Sequence, residues 1–372
     1  MGSPDDDAVR VELASIREQI DDVDQRIQGL ISERAGLARR VGDIKAAAEL
    51  RTVDYFRPER EAEVLREVVA RNANGPLSDE EMVRLFREIM SACLAQQEPL
   101  KIAYLGPEGT FTQTAVLRHF GHSVRDLPLA TIDEVFQEVE AAHADFGVVP
   151  VENSTEGSVN NTLDMLISSP LKIGGEIELR IEQHLMAKRG VRIDSIERIC
   201  GHQQSLAQCR AWLREYLPAV ELVPVGSNAT GARRARDEVG TAAIAGDAAA
   251  QVYGLDVLVA NIEDRSDNTT RFLVLGRKLL SASGDDKTTL LLSAEDTGGA
   301  GALHALLKPF ADYNVNLNRI ESRPSRRAKW QYVFFLDIDG HAEDENVASA
   351  ISAIREHAPL CRVLGSYPKA LL

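Results

Sequence analysis

The chain has 372 residues, with 42 Lys and Arg against 57 Asp and Glu, a formal net charge of -15. Domains run about 100–200 residues, so two or three are expected, and the apolar content is ample for their cores. An acidic chain argues against nucleic acid as the main partner. No run of about 18 apolar residues is present, so no membrane partner is expected. The first seven residues are acidic and lack an apolar core, unlike a secretory signal. Cys93, Cys200, Cys209 and Cys361 form no C-x-x-C pair. They read as ordinary thiols of a reducing compartment, with no metal site, and the expected location is the cytoplasm.

From Val9 to about Ala48 no proline interrupts the chain. Apolar residues recur at Ile16, Ile20, Val23, Ile27, Leu30, Leu37, Val41, Ile44 and Ala48. Steps of four and three are the heptad pattern of a packed helix seam. A helix of about 40 residues is about 60 Å long. A small domain cannot bury that length alone, so a second chain or another long helix is expected along it. Arg34 takes the apolar position between Leu30 and Leu37. A cation in a helical core is costly unless it meets an anion. Arg34 is therefore half of an ion pair with a partner helix, or part of an anion site. Lys45 lies within roughly 20° of Arg34 around the helix axis, and Arg17 roughly 100° away. Arg34 and Lys45 can share one pocket; Arg17 can reach such a pocket only from a partner chain. A turn over residues 50–56 leads to Arg57-Pro58-Glu59, with proline allowed in a first helical turn. After a break at residues 72–76, Ser78 reads as an N-cap followed by acids. This third helix runs to about Gln97 and puts Cys93 and Gln97 on one face.

The segments IREQID, ISERAGLARRVGDIK, RPEREAEVLR and RLFREIMSACLAQQ resemble the all-helical chorismate mutase family over residues 8–97. The resemblance implies that Arg34, Arg57 and Arg17 of a partner chain are cations for the two carboxylates of chorismate and their surroundings. Lys45 and Gln97 would bond the ether oxygen and Glu59 the ring hydroxyl, with Asp54 and Cys93 in contact with substrate. Some relatives carry serine where this chain has Cys93. A Claisen rearrangement needs no nucleophile and no cofactor. It needs a dianion held in a compact conformer, with donors aimed at the oxygen where charge develops.

Beyond Pro99, residues 101–105 form a short apolar run ending in GPEGTFT, a strand, glycine loop and helix start. That arrangement is either an ordinary α/β turn or an anion-binding element; it is not a P-loop. Further apolar strands at 146–151, 199–201, 221–225, 242–245, 257–260 and 271–275 alternate with helical stretches, a parallel α/β pattern in two lobes. Polar residues crowd the strand ends, where functional groups of such folds sit: Glu152 to Ser158, GHQQSLAQ at 201–208 and DNTTRF at 267–272. His184 and His202 have no acidic partner evident in sequence and read as structural. GPEGTFT, VPVENSTEGSV and TTRFLVL resemble the markers of prephenate dehydratase over residues 101–280. That resemblance implies catalysis by Thr270, with Glu152, Asn153, Ser154, Gln208, Arg271, Phe272 and Thr110 lining a prephenate site. Family members often carry a serine and a proline around this histidine, where Gly201 and Gln203 stand here. The protein must hydrogen-bond the departing hydroxide, through Thr270 with Glu152, while Arg271 holds the side-chain carboxylate.

After a polar linker at 281–286, the strands and helices fall in the order βαββαβ, the α+β ferredoxin-like plan. Gly301-Ala302-Leu303 opens a helix and Glu321-Ser322-Arg323-Pro324 ends a strand. Both segments resemble ACT domains over residues 286–372. The resemblance implies an L-phenylalanine site between these segments at a dimer interface; a purely structural dimerisation module is the alternative. The expected assembly is a homodimer or a higher homo-oligomer.

Overall fold

The proline-free heptad stretch is a single helix, α1 (Pro4–Ala47). The computed structural model describes residues 4–47, 56–294, 301–325 and 332–370; Asp54 lies outside the described residues. The apolar seam of α1 is uncovered in the single chain, with Ile16 to Ile44 between 45% and 67% exposed. Helix α2 (Pro58–Arg71) opens with proline in its first turn. Helix α3 (Asp79–Leu94) is capped by Ser78, whose hydroxyl accepts from the Glu81 N–H at 3.2 Å. Helix α3 packs against both α1 and α2.

The middle region contains two sheets. In the first lobe the chain runs through β1 (Lys101–Leu105), α4 (Phe111–Phe120), β2 (Arg125–Leu129), α5 (Ile132–Glu140), β3 (Phe146–Asn153), the short β4 (Gly157–Ser158), α6 (Asn160–Ser168) and β5 (Lys172–Arg180). It crosses into the second lobe for β6 (His184–Lys188), β7 (Arg198–His202), α7 (Gln203–Gln208), α8 (Arg210–Tyr216), β8 (Glu221–Val225), α9 (Asn228–Asp237), β9 (Thr241–Ala245), α10 (Asp247–Tyr253) and β10 (Leu255–Val259). It then returns as β11 (Thr269–Gly276). The sheet orders are β2-β1-β3-β11-β5 and β10-β6-β9-β7-β8, with β4 paired to β3.

Both sheets are mixed, which corrects the parallel pattern expected from sequence. Strand β11 runs antiparallel to both neighbours, β3 and β5, and β6 is antiparallel to β9 and β10. A buried apolar run reports burial on both faces but not direction. The chain that leaves the first lobe through β5 must come back through β11, and it enters between strands already laid down. Strand β5 was not expected at all, because its Gly174-Gly175-Glu176 interior breaks the apolar run.

The third region follows the expected order: β12 (Asp286–Ser293), α11 (Ala302–Asp312), β13 (Leu317–Pro324), β14 (Tyr332–Asp339), α12 (Glu345–Arg355) and β15 (Leu360–Pro368). Its sheet order is β13-β14-β12-β15. Residues of α11 and α12 pack on one face, around Leu306, Phe310, Val347 and Ile351. The other face joins the first lobe. Leu291, Val333, Phe335 and Tyr367 share a core with Val149, Ile173, Leu273 and Leu275. Glycine is required at 365, where a Cβ would fall 2.0 Å from the Ile173 carbonyl oxygen and keep β15 off β5. A second shared core ties the helical region to the first lobe, with the Phe56 ring 5.5 Å from those of Phe120, tilted, and Phe146, edge-on.

Candidate active sites

The first site lies where α1 passes α3. Gly42 lets the helices close there, since a Cβ on it would sit 2.8 Å from Cγ of Gln97. Arg34 and Lys45 from α1, Arg57 just before α2, Cys93 near the end of α3 and Gln97 in the turn after it all line one pocket of about 390 Å³; α3 stops at Leu94, short of the expected Gln97. The Gln97 Oε1 atom is buried without a partner among the described residues, and such an atom calls for a ligand or water. Arg17 is exposed and does not line this pocket. Arg57 donates to Glu59 at 2.9 Å, and Glu59 lines the adjoining cavity instead. Its other carboxylate oxygen is buried and has no hydrogen-bond partner among the described residues.

Two features of this pocket were not legible in sequence. Phe120, Ser123 and Val124 of the first lobe wall it. Glu61 also lines it, and burial raises that carboxyl to about 7 although Arg87 lies 3.4 Å away. On the other side of Glu61, His119 lines a neighbouring cavity and is lowered to about 3 by burial, with Arg87 adding repulsion.

The second site is a polar chain across the strand ends. Asn153 at the end of β3 is the register partner of Thr270 on β11. Its Nδ2 donates to Thr270 Oγ1 at 2.9 Å and to Asn268 Oδ1 at 2.9 Å. Its Oδ1 accepts from the N–H groups of Thr155 and Glu156, which fixes the amide's orientation. Asn268 in turn donates to Gln208 Oε1 at 3.0 Å, so the chain reaches α7 of the second lobe. Ser154 Oγ accepts from the Thr269 N–H at 3.0 Å. Thr110 caps α4 and donates to the Leu105 carbonyl, in the loop at the end of neighbouring β1. Glu152 is paired with Arg319 of β13 at 2.7 Å.

Besides Glu152, two more residues of the expected set point elsewhere. The Arg271 side chain is only 12% exposed and reaches the third region, donating to Glu176 at 2.9 Å, Asp337 at 2.7 Å and the Tyr367 hydroxyl. Burial opposes its charge, but Tyr367, Asp337 and Glu176 outweigh that and hold the guanidinium more basic than usual. Phe272 is a core residue against Tyr104 and Ile177. Asn268, which joins the two lobes, was missed. It lies inside the DNTTRF stretch, but nothing in its spacing separates it from a turn asparagine. The buried His184 has a partner that sequence separation hid, with Asp247 3.2 Å from its Nε2.

On the third region, Gly301 precedes α11 at φ 94, the left-handed region that favours glycine. Along β13 the residues alternate, with Arg319, Glu321 and Arg323 half-buried and Ile320, Ser322 and Pro324 exposed. Arg323 donates to Asn160 at 2.6 Å and to Asp164 at 2.9 Å at the start of α6.

Among the described residues no group of His, Cys, Asp and Glu is arranged to hold a metal ion. No helix among them is long and apolar enough to cross a membrane.

A helical pocket of cations, a two-lobed α/β unit with a polar chain joining its lobes, and a ferredoxin-like sheet define a multidomain enzyme of mutase, dehydratase and ACT parts. Family models agree along the chain: chorismate mutase type II matches residues 16–98, prephenate dehydratase residues 102–279 and the ACT domain residues 288–356. The chain is 52% identical to a bifunctional chorismate mutase/prephenate dehydratase of Stutzerimonas stutzeri, covering 97% of this chain and 99% of that protein. It is 51% identical, with the same coverage, to the Pseudomonas aeruginosa protein of that description. The crystal structure of prephenate dehydratase in complex with L-Phe from Arthrobacter aurescens is similar at 38% identity and a TM-score of 0.67, covering 72% of this chain and 90% of that one. The chain belongs to the bifunctional chorismate mutase/prephenate dehydratases. It rearranges chorismate to prephenate, and decarboxylates and dehydrates prephenate to phenylpyruvate.

Proposed function

We propose that the helical pocket is the mutase site, that the Asn153–Thr270 chain is the dehydratase site, and that L-phenylalanine bound at the ACT region inhibits the second reaction. The observation that carries this reading is the convergence of Arg34, Lys45, Arg57 and Gln97 on one pocket, far along the chain from the Asn153–Thr270 hydrogen bond. In the mutase pocket the three cations hold the two carboxylates of chorismate in a compact conformer. Lys45 and Gln97 donate to the ether oxygen as charge builds on it. No cofactor is required for either reaction.

At the dehydratase site the hydrogen bond direction matters. Asn153 donates to Thr270, so the threonine oxygen is occupied as an acceptor and its own hydrogen is free to meet the leaving hydroxyl. Ser154, Gln208 and Thr110 belong to the surrounding polar wall. Arg271 holds the regulatory sheet rather than substrate in this reading, and Phe272 shapes the core beneath Thr270.

The uncovered seam of α1 supports a homodimer in which the partner's α1 covers the seam and the partner's Arg17 completes the mutase pocket, and the free Cys93, Cys200, Cys209 and Cys361 fit a cytoplasmic location. Gly301 to Leu303 and Glu321 to Pro324 form the phenylalanine segments. The Arthrobacter aurescens prephenate dehydratase, solved in complex with L-Phe, supports the same ligand here. Separate turnover assays with chorismate and with prephenate, each with and without phenylalanine, test the whole reading. Both substrates are expected to turn over, and phenylalanine is expected to slow prephenate loss. Prephenate loss unaffected by phenylalanine would remove the regulatory part.

A further inference from the structure

Two ion pairs between the regulatory sheet and the catalytic sheet close into a square. On the catalytic sheet, Glu152 of β3 and Arg271 of β11 are register partners. On the regulatory sheet, Arg319 of β13 and Asp337 of β14 are register partners. Across the gap, Arg319 Nε donates to Glu152 Oε2 at 2.7 Å, and Arg271 Nη1 donates to Asp337 Oδ2 at 2.7 Å. The signs alternate around the four corners, so each charge has an opposite charge beside it along the strand pair and another across the gap.

The two sides of the square differ. The Arg271–Asp337 side is buried, with side chains 12% and 3% exposed. Further bonds pin it: Arg271 to Glu176 and Tyr367, and the Thr289 hydroxyl to Asp337 at 2.6 Å. Removing one partner of a buried pair strands the other charge, so this side is held fast. The Arg319–Glu152 side is wetter, with side chains 16% and 36% exposed. Water reaches the Glu152 carboxylate there, so opening this side costs less than opening the other. Arg319 also donates to Ser158 Oγ at 3.0 Å and lies 3.7 Å from Glu321. One side is a pivot and the other can open.

We propose that this square is the joint through which the regulatory sheet sets the dehydratase site, with Arg319 as the positioning residue. Glu152 is bonded in the chain to Asn153, whose amide donates to Thr270. A displacement of β13 therefore moves Glu152 and re-aims Asn153, while the Arg271–Asp337 side keeps the sheets together. Arg319 stands two residues before Glu321 on the same face of β13, so a ligand that moves the Glu321–Pro324 end moves Arg319 too. This inference rests on the reading of that end as part of the phenylalanine site. A ligand that binds both positions of β13 equally shifts nothing, so the joint must differ between the two states.

The test uses full-length Arg319→Gln, Arg319→Lys and Ser158→Ala chains. Phenylalanine binding is measured by calorimetry, and the prephenate KM is measured with and without saturating phenylalanine. In the parent enzyme the ratio of the two KM values is expected to be about 5- to 150-fold, the usual range for coupled sites. Arg319→Gln is expected to bind phenylalanine within about threefold of the parent while that ratio falls at least fivefold. Arg319→Lys, which keeps a charge able to reach Glu152, is expected to restore part of the ratio. Ser158→Ala removes one partner of Arg319 and is expected to lower the ratio less; it keeps the question open to test if Arg319→Gln fails to fold. An unchanged ratio in Arg319→Gln, or in both milder variants, would overturn the joint. So would loss of phenylalanine binding in Arg319→Gln, which would put Arg319 inside the ligand site. A parent enzyme that binds no phenylalanine is a different result, because it removes the regulatory reading itself.

Discussion

Thr270 owes its proposed role to what surrounds its hydroxyl. With Asn153 donating to the oxygen, the hydroxyl hydrogen is left to donate to a substrate. Thr270→Ala is expected to lower prephenate turnover about 10²–10⁴-fold and leave chorismate turnover within about twofold. Near-normal prephenate turnover by that variant would take Thr270 out of the chemistry. Glu61 makes a second prediction at this scale. Its carboxyl titrates near 7, so it is largely neutral below that pH and an anion in the mutase pocket above it. A dianionic substrate is then repelled, and the chorismate KM is expected to rise roughly threefold to tenfold as pH passes upward through 7. Glu61→Gln should flatten this rise. The same raised value stabilises the fold below the ordinary carboxyl range, near 4.5, and that contribution is lost as pH climbs through 7. Thermal unfolding of the parent between pH 5 and 8, compared with the variant, gives an independent reading.

At the scale of elements, the close approach of β15 to β5 depends on one missing side chain. Gly365→Ala would place a methyl group 2.0 Å from a backbone oxygen that has no room to yield. The expected cost is about 2–4 kcal/mol, seen as a lower Tm and a lower denaturant midpoint. An unchanged Tm would mean that the two sheets are not seated together as described. Gly301 behaves differently. A Cβ there meets open space, so the constraint is its φ of 94 alone. Gly301→Val is therefore expected to weaken phenylalanine binding by straining the first turn of α11, at about 1–3 kcal/mol, rather than by filling a pocket. Calorimetry with Gly301→Ala should give a loss of the same sign, since any L-residue meets the same strain.

For the whole molecule, two relationships reach beyond one region. The first is the pairing of chains. A seam whose apolar residues are about half exposed from Ile16 to Ile44 is a surface that a second α1 can cover. Mixing Arg17→Ala chains with Arg34→Ala chains should return part of the mutase activity, because one of the two mixed sites keeps both arginines. Proven heterodimers with no recovered activity would end the shared-site reading. The second is the common core of the ACT sheet and the first lobe. Removing residues 286–372 bares Val149, Ile173, Leu273 and Leu275, so the shortened chain is expected to melt at least about 5 °C lower. It should retain some prephenate turnover and lose its response to phenylalanine.

The sequence alone determined most of the elements, though not β5, and which polar residues stand at their ends. The 4-3 spacing from Ile16 to Ile44 gave α1, and Ser78 was legible as the cap of α3, whereas the capping of α4 by Thr110 came from the structure. The βαββαβ order of the third region was legible because each element carries its own period and its own turn residues. So was the angular separation of Arg17 from Arg34 and Lys45, since all three ride one helix and its pitch is fixed. Tertiary structure alone decided everything that depends on residues distant in the chain. It set the antiparallel entry of β11, because burial patterns carry no direction. It also sent Arg271 away from Thr270 toward Asp337, and brought Arg319 to Glu152. A strand's alternation says that neighbouring side chains take opposite faces, but not what lies beyond each face; here that was settled by a sheet laid down after both strands had ended.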